Sequence, residues 1–214
     1  NNAKATSATK RTLEIADNVK ITGGILTINA GGEDKTFAKA IAGSGGLVSG
    51  AASSAKTVNG NQSTISIGNR GATGGIDVNS GIITAKNTSR FNSQTDSTNA
   101  SLLGASGASA NNTVNSVVGL LFGTGAKLAA RSIQLAANNT VRKTGLTGYN
   151  VYSGSGGAID AAAAGSNTVI KNNTASPFNN SAVQLAANTA NARAANTARD
   201  GDFPGFSNRQ IRIP

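Results

Sequence analysis

The sequence predicts an all-β protein, a right-handed parallel β-helix (β-solenoid) of short strands joined by Gly and Asn turns. Three observations carry this prediction. Two motifs recur in the same order with a period of roughly 50 to 56 residues, apolar and polar residues alternate in short runs, and small residues fill most of the chain. Such repetition is typical of solenoids, in which each unit buries its inner face against its neighbours.

The first motif is Ser132–Thr140, a short apolar run that ends in Ala-Ala-Asn-Asn-Thr. It returns at 182–189, fifty residues on (183 − 133 = 50), and looser copies lie at 81–88 and 25–31. The looser copies are rich in Ile and flanked by Gly, as strands are. The motif therefore predicts one strand in each repeat.

An Ala-rich helix is the rival interpretation of the segment 128–137. Leu128, Ile133 and Leu135 do not fall on the i, i+3, i+4, i+7 positions that one face of a helix requires. The strand is the favoured interpretation.

The second motif contains Leu47, Leu103 and Ile159, which recur at a constant interval (103 − 47 = 56 and 159 − 103 = 56). Each copy is closed by a Thr-Val pair, beginning at Thr57, Thr113 and Thr168. Two independent motifs that keep a similar period predict that equivalent residues stack on one another.

We expect the large apolar residue of each copy to point inward and to stack in the core. The expected inward set is Leu26, Ile28, Leu47, Ile82, Leu103, Ile133, Leu135, Ile159, Val183 and Leu185.

Three regions follow from these patterns. Residues 1–12 are polar and predict an arm or an incomplete coil. Residues 13–190 hold three to four repeats with the period given above, and residues 191–214 form a tail that is either a cap or the start of a further module. Because the strands are so short, we expect two or three coils of about 18 to 25 residues in each period.

Turns are expected where Gly, Asn and Asp interrupt the alternation, at Asp17–Asn18, Gly31–Lys35 and Asn59–Gln62. The segment Ala186–Arg199 contains no large apolar residue. Its Ala and Arg favour helix whereas its Asn and Thr oppose it, so a short helix and a disordered run both stay open there.

The composition excludes several kinds of chemistry. Cys and His are absent, which removes disulfides, thiol nucleophiles and the usual general base. No apolar run is long enough to predict a membrane span. The chain starts at Asn1 with no signal peptide, so we expect a mature or excised piece of a longer protein.

The net charge of +10 arises from 19 Lys and Arg against 9 Asp and Glu. The basic residues are dispersed along the sequence, and the aromatic residues, at 4%, are not placed among them. A nucleic-acid site usually clusters its cations and interleaves aromatics. The pattern therefore favours a weakly cationic solvated surface, with non-specific attraction to acidic polysaccharide, lipopolysaccharide or DNA as the alternative.

No catalytic, metal or cofactor site is predicted, and the chain is expected not to be an enzyme. Glycoside hydrolysis needs two carboxylates at a set separation. Asp77, Asp96 and Asp160 fall at different phases of the repeat, so we expect that they do not stack.

Asn-x-Ser/Thr sequences are frequent, as expected in a chain rich in Asn and Thr. Glycan attachment and a purely structural role, including stacking of Asn side chains, both stay open for these residues. The asparagines concerned are Asn61, Asn87, Asn99, Asn111, Asn138, Asn172 and Asn179.

The repeat unit as a whole resembles large bacterial filamentous adhesins and haemagglutinins. The resemblance covers about residues 20–190 and rests on a strand ending in Ala-Ala-Asn, a Gly-Gly-Leu-x-x-Gly-Ala-Ala segment (45–52), the Thr-Val pair and the run Gly123–Ala130. The resemblance implies a right-handed parallel β-helix, secretion through the outer membrane to the cell surface or the extracellular space, and a role in attachment or in an extracellular matrix.

The leading hypothesis is a structural or adhesive segment of an extracellular filament or giant surface adhesin. The alternative is a carbohydrate-active β-helix enzyme of the lyase or hydrolase kind, and an ice-binding solenoid is a weaker third. Expected partners are flanking repeats or other copies end to end, and acidic polysaccharide or a host or cell surface, with no specific nucleic acid. Candidate assembly contacts are Phe203, Phe206, Ile211 and Ile213.

Overall fold

A computed structural model describes residues 1–68, 74–123, 125–175, 184–199 and 209–212, with side chains as far as Lys171. These residues form β-strands and the short turns between them, and none of them is helical. The all-β prediction is therefore confirmed.

Nine strands follow one another along the described parts of the chain. They are β1 (Asn2–Ser7), β2 (Lys10–Ile15), β3 (Lys20–Ile67), β4 (Gly75–Phe122), β5 (Lys127–Lys143), β6 (Val151–Gly156), β7 (Ile159–Ala175), β8 (Gln184–Arg199) and β9 (Arg209–Arg212).

All nine strands belong to one hydrogen-bonded sheet with the order β1-β3-β4-β5-β8-β9, in which β2 also pairs with β3, and β6 and β7 with β4. Every pairing is parallel except that of β8 with β9. We call the segments that share one position in this order a layer. The parallel pairings give five layers: β1 together with β2; β3; β4; β5 together with β6 and β7; and β8. The antiparallel strand β9 is not counted as a layer.

Each sequence period forms a single layer, so the expected division into two or three coils is wrong. Lys20 pairs with Gly75 and Ile67 with Phe122, and the offset in residue number is the same at both ends of β3 (75 − 20 = 55 and 122 − 67 = 55). The reason is that the Gly- and Asn-rich segments do not end the strands. They remain extended because a neighbouring layer supplies hydrogen bonds to their backbone.

The two halves of β3 lie opposite each other. Ile28 in the first half and Ile65 in the second belong to the same buried cluster. The strand bends between them at Leu47, which the pairing skips although Gly46 pairs with Ser101 and Val48 with Leu103. Gly46 has a φ of 143°, a conformation that favours glycine. The sheet does not close on itself.

The expected turns have mixed outcomes. Asp17–Asn18 is a turn, and Asn18 has the positive φ of 62° that asparagine tolerates. Gly31–Lys35 and Asn59–Gln62 are not turns, since both lie within β3. Residues 186–199 form neither a helix nor an irregular run. They lie in β8, which pairs with β5 starting from the pair Gln184 and Lys127. Pairing with a neighbouring strand overrides the weak local preference.

Where side chains are described, the interior of the layers has an apolar part and a polar part. Its apolar part contains Ile, Val, Leu, Phe and Ala residues from both halves of the layers, with Leu128 and Ala137 fully buried. Farther along the strands the buried residues are mostly Asn, Ser and Thr. Small apolar and small polar side chains therefore share the interior.

Candidate functional site

The inward set of the first motif lies mostly in the apolar part of the interior. Ile28, Ile133 and Leu135 are 6%, 2% and 1% exposed, and Leu26 packs against the same cluster. Ile82 is only half-buried, whereas its neighbour Ile83 is 1% exposed. Val183 lies outside the described residues, and the side chain of Leu185 is not among those described.

The second motif does not point inward, so that part of the expected core is wrong. Leu47, Leu103 and Ile159 are 77%, 40% and 70% exposed. The physical reason is their place at the bend of each layer, where the side chains turn away from the interior. Val48, and not Leu47, pairs with Leu103, and Leu103 pairs with Ile159. Val48, Leu103 and Ile159 therefore form an exposed apolar ridge across three layers.

A hydrogen-bonded network of small polar side chains fills the middle of the interior. Asn87 Nδ2 donates to Ser116 Oγ at 2.6 Å, and Ser116 Oγ donates to Asn139 Oδ1 at 2.6 Å. Asn139 Nδ2 then donates to the Ser116 carbonyl at 2.9 Å. Asn87 and Asn139 occupy the same register position in adjacent layers. The side-chain nitrogens of Asn87 and Asn139 thus find partners across the interior and in the next layer, whereas Asn87 Oδ1 is buried without a hydrogen-bond partner.

Among the described carboxylates, that of Asp34 takes part in the interior. Asp34 Oδ1 accepts from Thr9 Oγ1 at 3.0 Å and from Ser7 Oγ at 3.3 Å. Arg11 Nη1 lies 3.2 Å from Asp34 Oδ2 and donates a hydrogen bond to it. The side chain of Asp34 is 9% exposed, and these three donors satisfy it. The contacts tie the first layer to the second.

The other expected carboxylates do not stack, as predicted. Asp77 pairs with Thr22 and Ala129. Asp96 pairs with Ile41 and Tyr152, and Asp160 pairs with Gly104. Among the described residues, no group of three or more acidic side chains is placed to hold a metal ion.

The outer surface carries an arrangement that sequence analysis missed. Lys35 pairs with Arg90, Arg90 with Arg142, and Arg142 with Arg199. Four cations that are dispersed in the sequence thus occupy one register position in four successive layers, which we call the cation ladder. The intervals between its members (90 − 35 = 55, 142 − 90 = 52 and 199 − 142 = 57) are close to the repeat period and were the available signal.

The three described side chains of the cation ladder, those of Lys35, Arg90 and Arg142, face outward. Ser89 and Phe91 on either side of Arg90 are buried, as is Val141 before Arg142, and alternate side chains of a strand point to opposite faces. The side chains of Lys35 and Arg90 are 73% and 39% exposed, and Arg142 is partly exposed.

A second column runs beside the ladder, two residues earlier in each layer. It consists of Glu33, Thr88, Thr140 and Thr197. Glu33 Oε1 lies 2.6 Å from Arg90 Nε and 3.9 Å from Lys35 Nζ. Among the side chains described, Arg142 has no ion-pair partner.

A tyrosine pair occupies another part of the outer surface. Tyr149 Oη donates to Asp96 Oδ2 at 2.9 Å, and the ring centroids of Tyr149 and Tyr152 are 5.0 Å apart. The hydrogen bond to Asp96 raises the pKa of Tyr149 above its ordinary value of 10.0, because the neutral hydroxyl is the donor.

Three of the possible glycan acceptors are buried. Asn61, Asn87 and Asn99 are at most 1% exposed and donate hydrogen bonds to interior groups. These three have a structural role in the fold, which was the alternative left open for them.

The candidate assembly contacts fall largely outside the described residues. This applies to Phe203, Phe206 and Ile213, while the backbone of Ile211 lies in β9 and pairs with Ala192 of β8. The described chain contains no helix with the length and apolarity that a membrane crossing requires. Searches of protein-family models, curated proteins and solved structures with this chain returned no match.

Proposed function

We propose that this chain is a structural and adhesive segment of an extracellular bacterial filament or giant surface adhesin. The observation that carries the proposal is the residue-for-residue stacking of layers, in which the offset in residue number changes little from one layer to the next. Such stacking builds a scaffold in which each layer contacts its neighbours and presents equivalent positions in columns on its surface.

Within this proposal the layers are coils of a right-handed parallel β-solenoid. Support comes from the course of the backbone, which leaves one layer and enters the next beside its own start. Gly68 N donates to Ile15 O at 2.8 Å, and Gly75 N donates to Val19 O at 2.9 Å. A coil of this kind returns to its starting position one strand spacing higher.

The proposed partners are other copies or flanking repeats end to end, together with an acidic polysaccharide or a cell surface. A strand with unpaired backbone groups is a template for a further strand. β9 lies along β8 at 191–194 and covers backbone groups that a further parallel layer would use. In the proposed assembly β9 therefore acts as a cap, and its displacement exposes the edge of β8.

Adhesion of beads coated with the folded chain tests the proposed function. We expect coated beads to attach to bacterial cells and to extracted matrix under flow. Beads coated with the Ile133→Asp variant, which is expected to be unfolded, are the control. Equal attachment of the two bead types would contradict the proposal, and so would release of sugar ends from polysaccharides by the folded chain.

Truncation tests the end-to-end contact. A chain that lacks residues 200–214 should scatter more light at high concentration than the full chain, because the edge of β8 is then free. Loss of scattering on truncation would instead assign the contact to the apolar residues of the tail and would contradict the cap.

A further inference from the structure

We propose that the cation ladder is a binding site for a linear polyuronate, a polysaccharide with one carboxylate on each sugar, that lies across the layers. The proposal deepens the adhesive function given above and rests on it. It assigns the ligand class to one column of register positions, those of Lys35, Arg90, Arg142 and Arg199.

The spacing of the ladder carries the first step. Neighbouring parallel strands lie about 4.8 Å apart, so the backbone positions of the four cations span about 14 Å in three equal steps. An extended chain of uronates advances by roughly one such step per sugar. Sugars therefore keep step with the layers, so each carboxylate that faces the protein lies opposite a cation of the ladder.

The charge of the ladder carries the second step. Like charges at directly opposed positions of neighbouring strands destabilise a sheet. The four cations of the ladder stand at directly opposed positions of four successive layers. In the described structure, Glu33 is the acidic residue that pairs with members of the ladder, namely Lys35 and Arg90. Arg142 lacks an ion-pair partner among the described side chains. A polyanion would neutralise the column and remove this repulsion.

The neighbouring column favours a sugar over a nucleic acid. Thr88 and Thr140 are partly exposed beside Arg90 and Arg142, where their hydroxyl groups are available to sugar hydroxyls. Binding of single-stranded nucleic acid relies on aromatic side chains on which the bases stack. No such column accompanies the ladder in the described layers, where Phe37 pairs with Asn92.

Binding of polygalacturonate to the immobilised full chain tests the proposal. The ladder variant is Lys35→Gln with Arg142→Gln, and its matched control is Arg131→Gln with Lys171→Gln, which removes the same charge from exposed positions outside the ladder. We expect the ladder variant to lose roughly threefold to tenfold in affinity, in keeping with exposed ion pairs. The logarithm of the affinity for polygalacturonate should fall less than half as much in the control as in the ladder variant. Arg142→Lys should retain binding.

Chain length gives a second readout. A tetramer of galacturonate should bind more tightly than a dimer, because it spans more of the ladder. Equal losses in the ladder and control variants would overturn the proposal, since binding would then follow net charge alone. Equal or tighter binding of oligothymidylate that depends on the ladder would overturn it in favour of nucleic acid. If coated beads attach but the chain does not bind polygalacturonate, the assignment of a polyuronate to the cation ladder would be overturned. The proposed adhesive function would be left intact.

Discussion

The interior of the layers with described side chains is built in two ways, and the difference shows what stabilises a chain with few large side chains. In the apolar part, Ile28, Ile83 and Leu135 occupy one register position in three layers and are nearly inaccessible to water. In the polar part, Asn87, Ser116 and Asn139 occupy the interior and hydrogen bond to one another.

The two parts depend on different physical effects. Burial of apolar surface is non-directional and scales with the area removed from water. A buried amide contributes only when its donors and acceptors are paired, and an unpaired one costs more than the bond contributes. The apolar part should therefore tolerate exchanges of similar volume, whereas the polar part should require particular groups. Leu, Ile, Val and Phe make up roughly a fifth of the chain, which makes the polar part necessary.

The largest effect is expected in the apolar part. Ile133→Asp places a charge at a position that is 2% exposed, where no cationic partner is described. We expect a loss of several kcal/mol, enough to unfold the neighbouring layers. Circular dichroism during thermal unfolding measures it. Ile25→Asp is the control, because Ile25 is 79% exposed and should change little. A folded Ile133→Asp protein with an unchanged melting temperature would contradict the core.

A smaller loss is expected in the polar part. Ser116→Ala removes a hydroxyl that both donates and accepts, and leaves Asn87 and Asn139 without that partner. We expect a cost of about 1 to 3 kcal/mol in the free energy of unfolding by urea. Ser132→Ala, at an exposed position, should cost much less. Equal costs would mean that the network contributes no more than a surface hydroxyl.

The ion pair between the first and second layers is expected to contribute less to stability than the polar part of the interior does. Arg11→Gln removes the ion pair with Asp34 but leaves the Ser7 and Thr9 hydroxyls as donors. We expect a loss of about 1 kcal/mol, less than for a fully buried pair, because Arg11 is partly exposed. Hydrogen exchange should show faster opening of β1 and β2, with β4 unchanged. Uniform acceleration across all strands would contradict a local role.

The apolar ridge at the bend should contribute little to folding. Val48→Thr with Leu103→Thr replaces exposed apolar groups by partly polar ones, isosteric at position 48 and smaller at position 103. We expect a change within about 0.5 kcal/mol in the free energy of unfolding, together with weaker binding of a hydrophobic dye. A large loss of stability would mean that these side chains are buried after all.

The smallest effect concerns the pKa of Tyr149. The chain has two tyrosines, so a Tyr152→Phe background isolates Tyr149 in an ultraviolet titration. We expect its pKa above 10.0, falling toward that value in Asp96→Ala. Because the folded state raises this pKa, the contact stabilises the fold below pH 10 and loses that contribution as the pH rises through the raised pKa. An unchanged titration in Asp96→Ala would contradict the hydrogen bond.

The sequence by itself determined the strand class, the approximate period and one side of the core. Alternation of apolar and polar residues predicted strands, and Ile28, Ile133 and Leu135 were placed in the expected inward set. These features are local, since a residue's side and its strand preference follow from its immediate neighbours.

The register between layers was decided only by the tertiary structure. A one-residue error in the period assigns the wrong residue to the interior. The sequence motifs aligned Ile82 with Ile133, but the structure pairs Gly81 with Ile133 and Ile82 with Gln134. Since side chains alternate with a period of two, a slip of one residue exchanges the inner and outer faces. Ile83 is therefore the buried residue in place of Ile82.

Tertiary structure also decided the number of layers and the outer columns. Gly and Asn favour turns in isolation, but here they lie in extended strands because adjacent layers pair with their backbone and the interior pairs with their amides. Asn59 and Asn61 are each 1% exposed, and Asn61 Nδ2 donates to Asn59 Oδ1, although Asn59 Nδ2 has no hydrogen-bond partner. The cation ladder arises in the same way, since its members meet only when three unequal offsets between layers bring them to one register position. No local pattern contains those offsets, because each is fixed by the length of a whole layer and its connection.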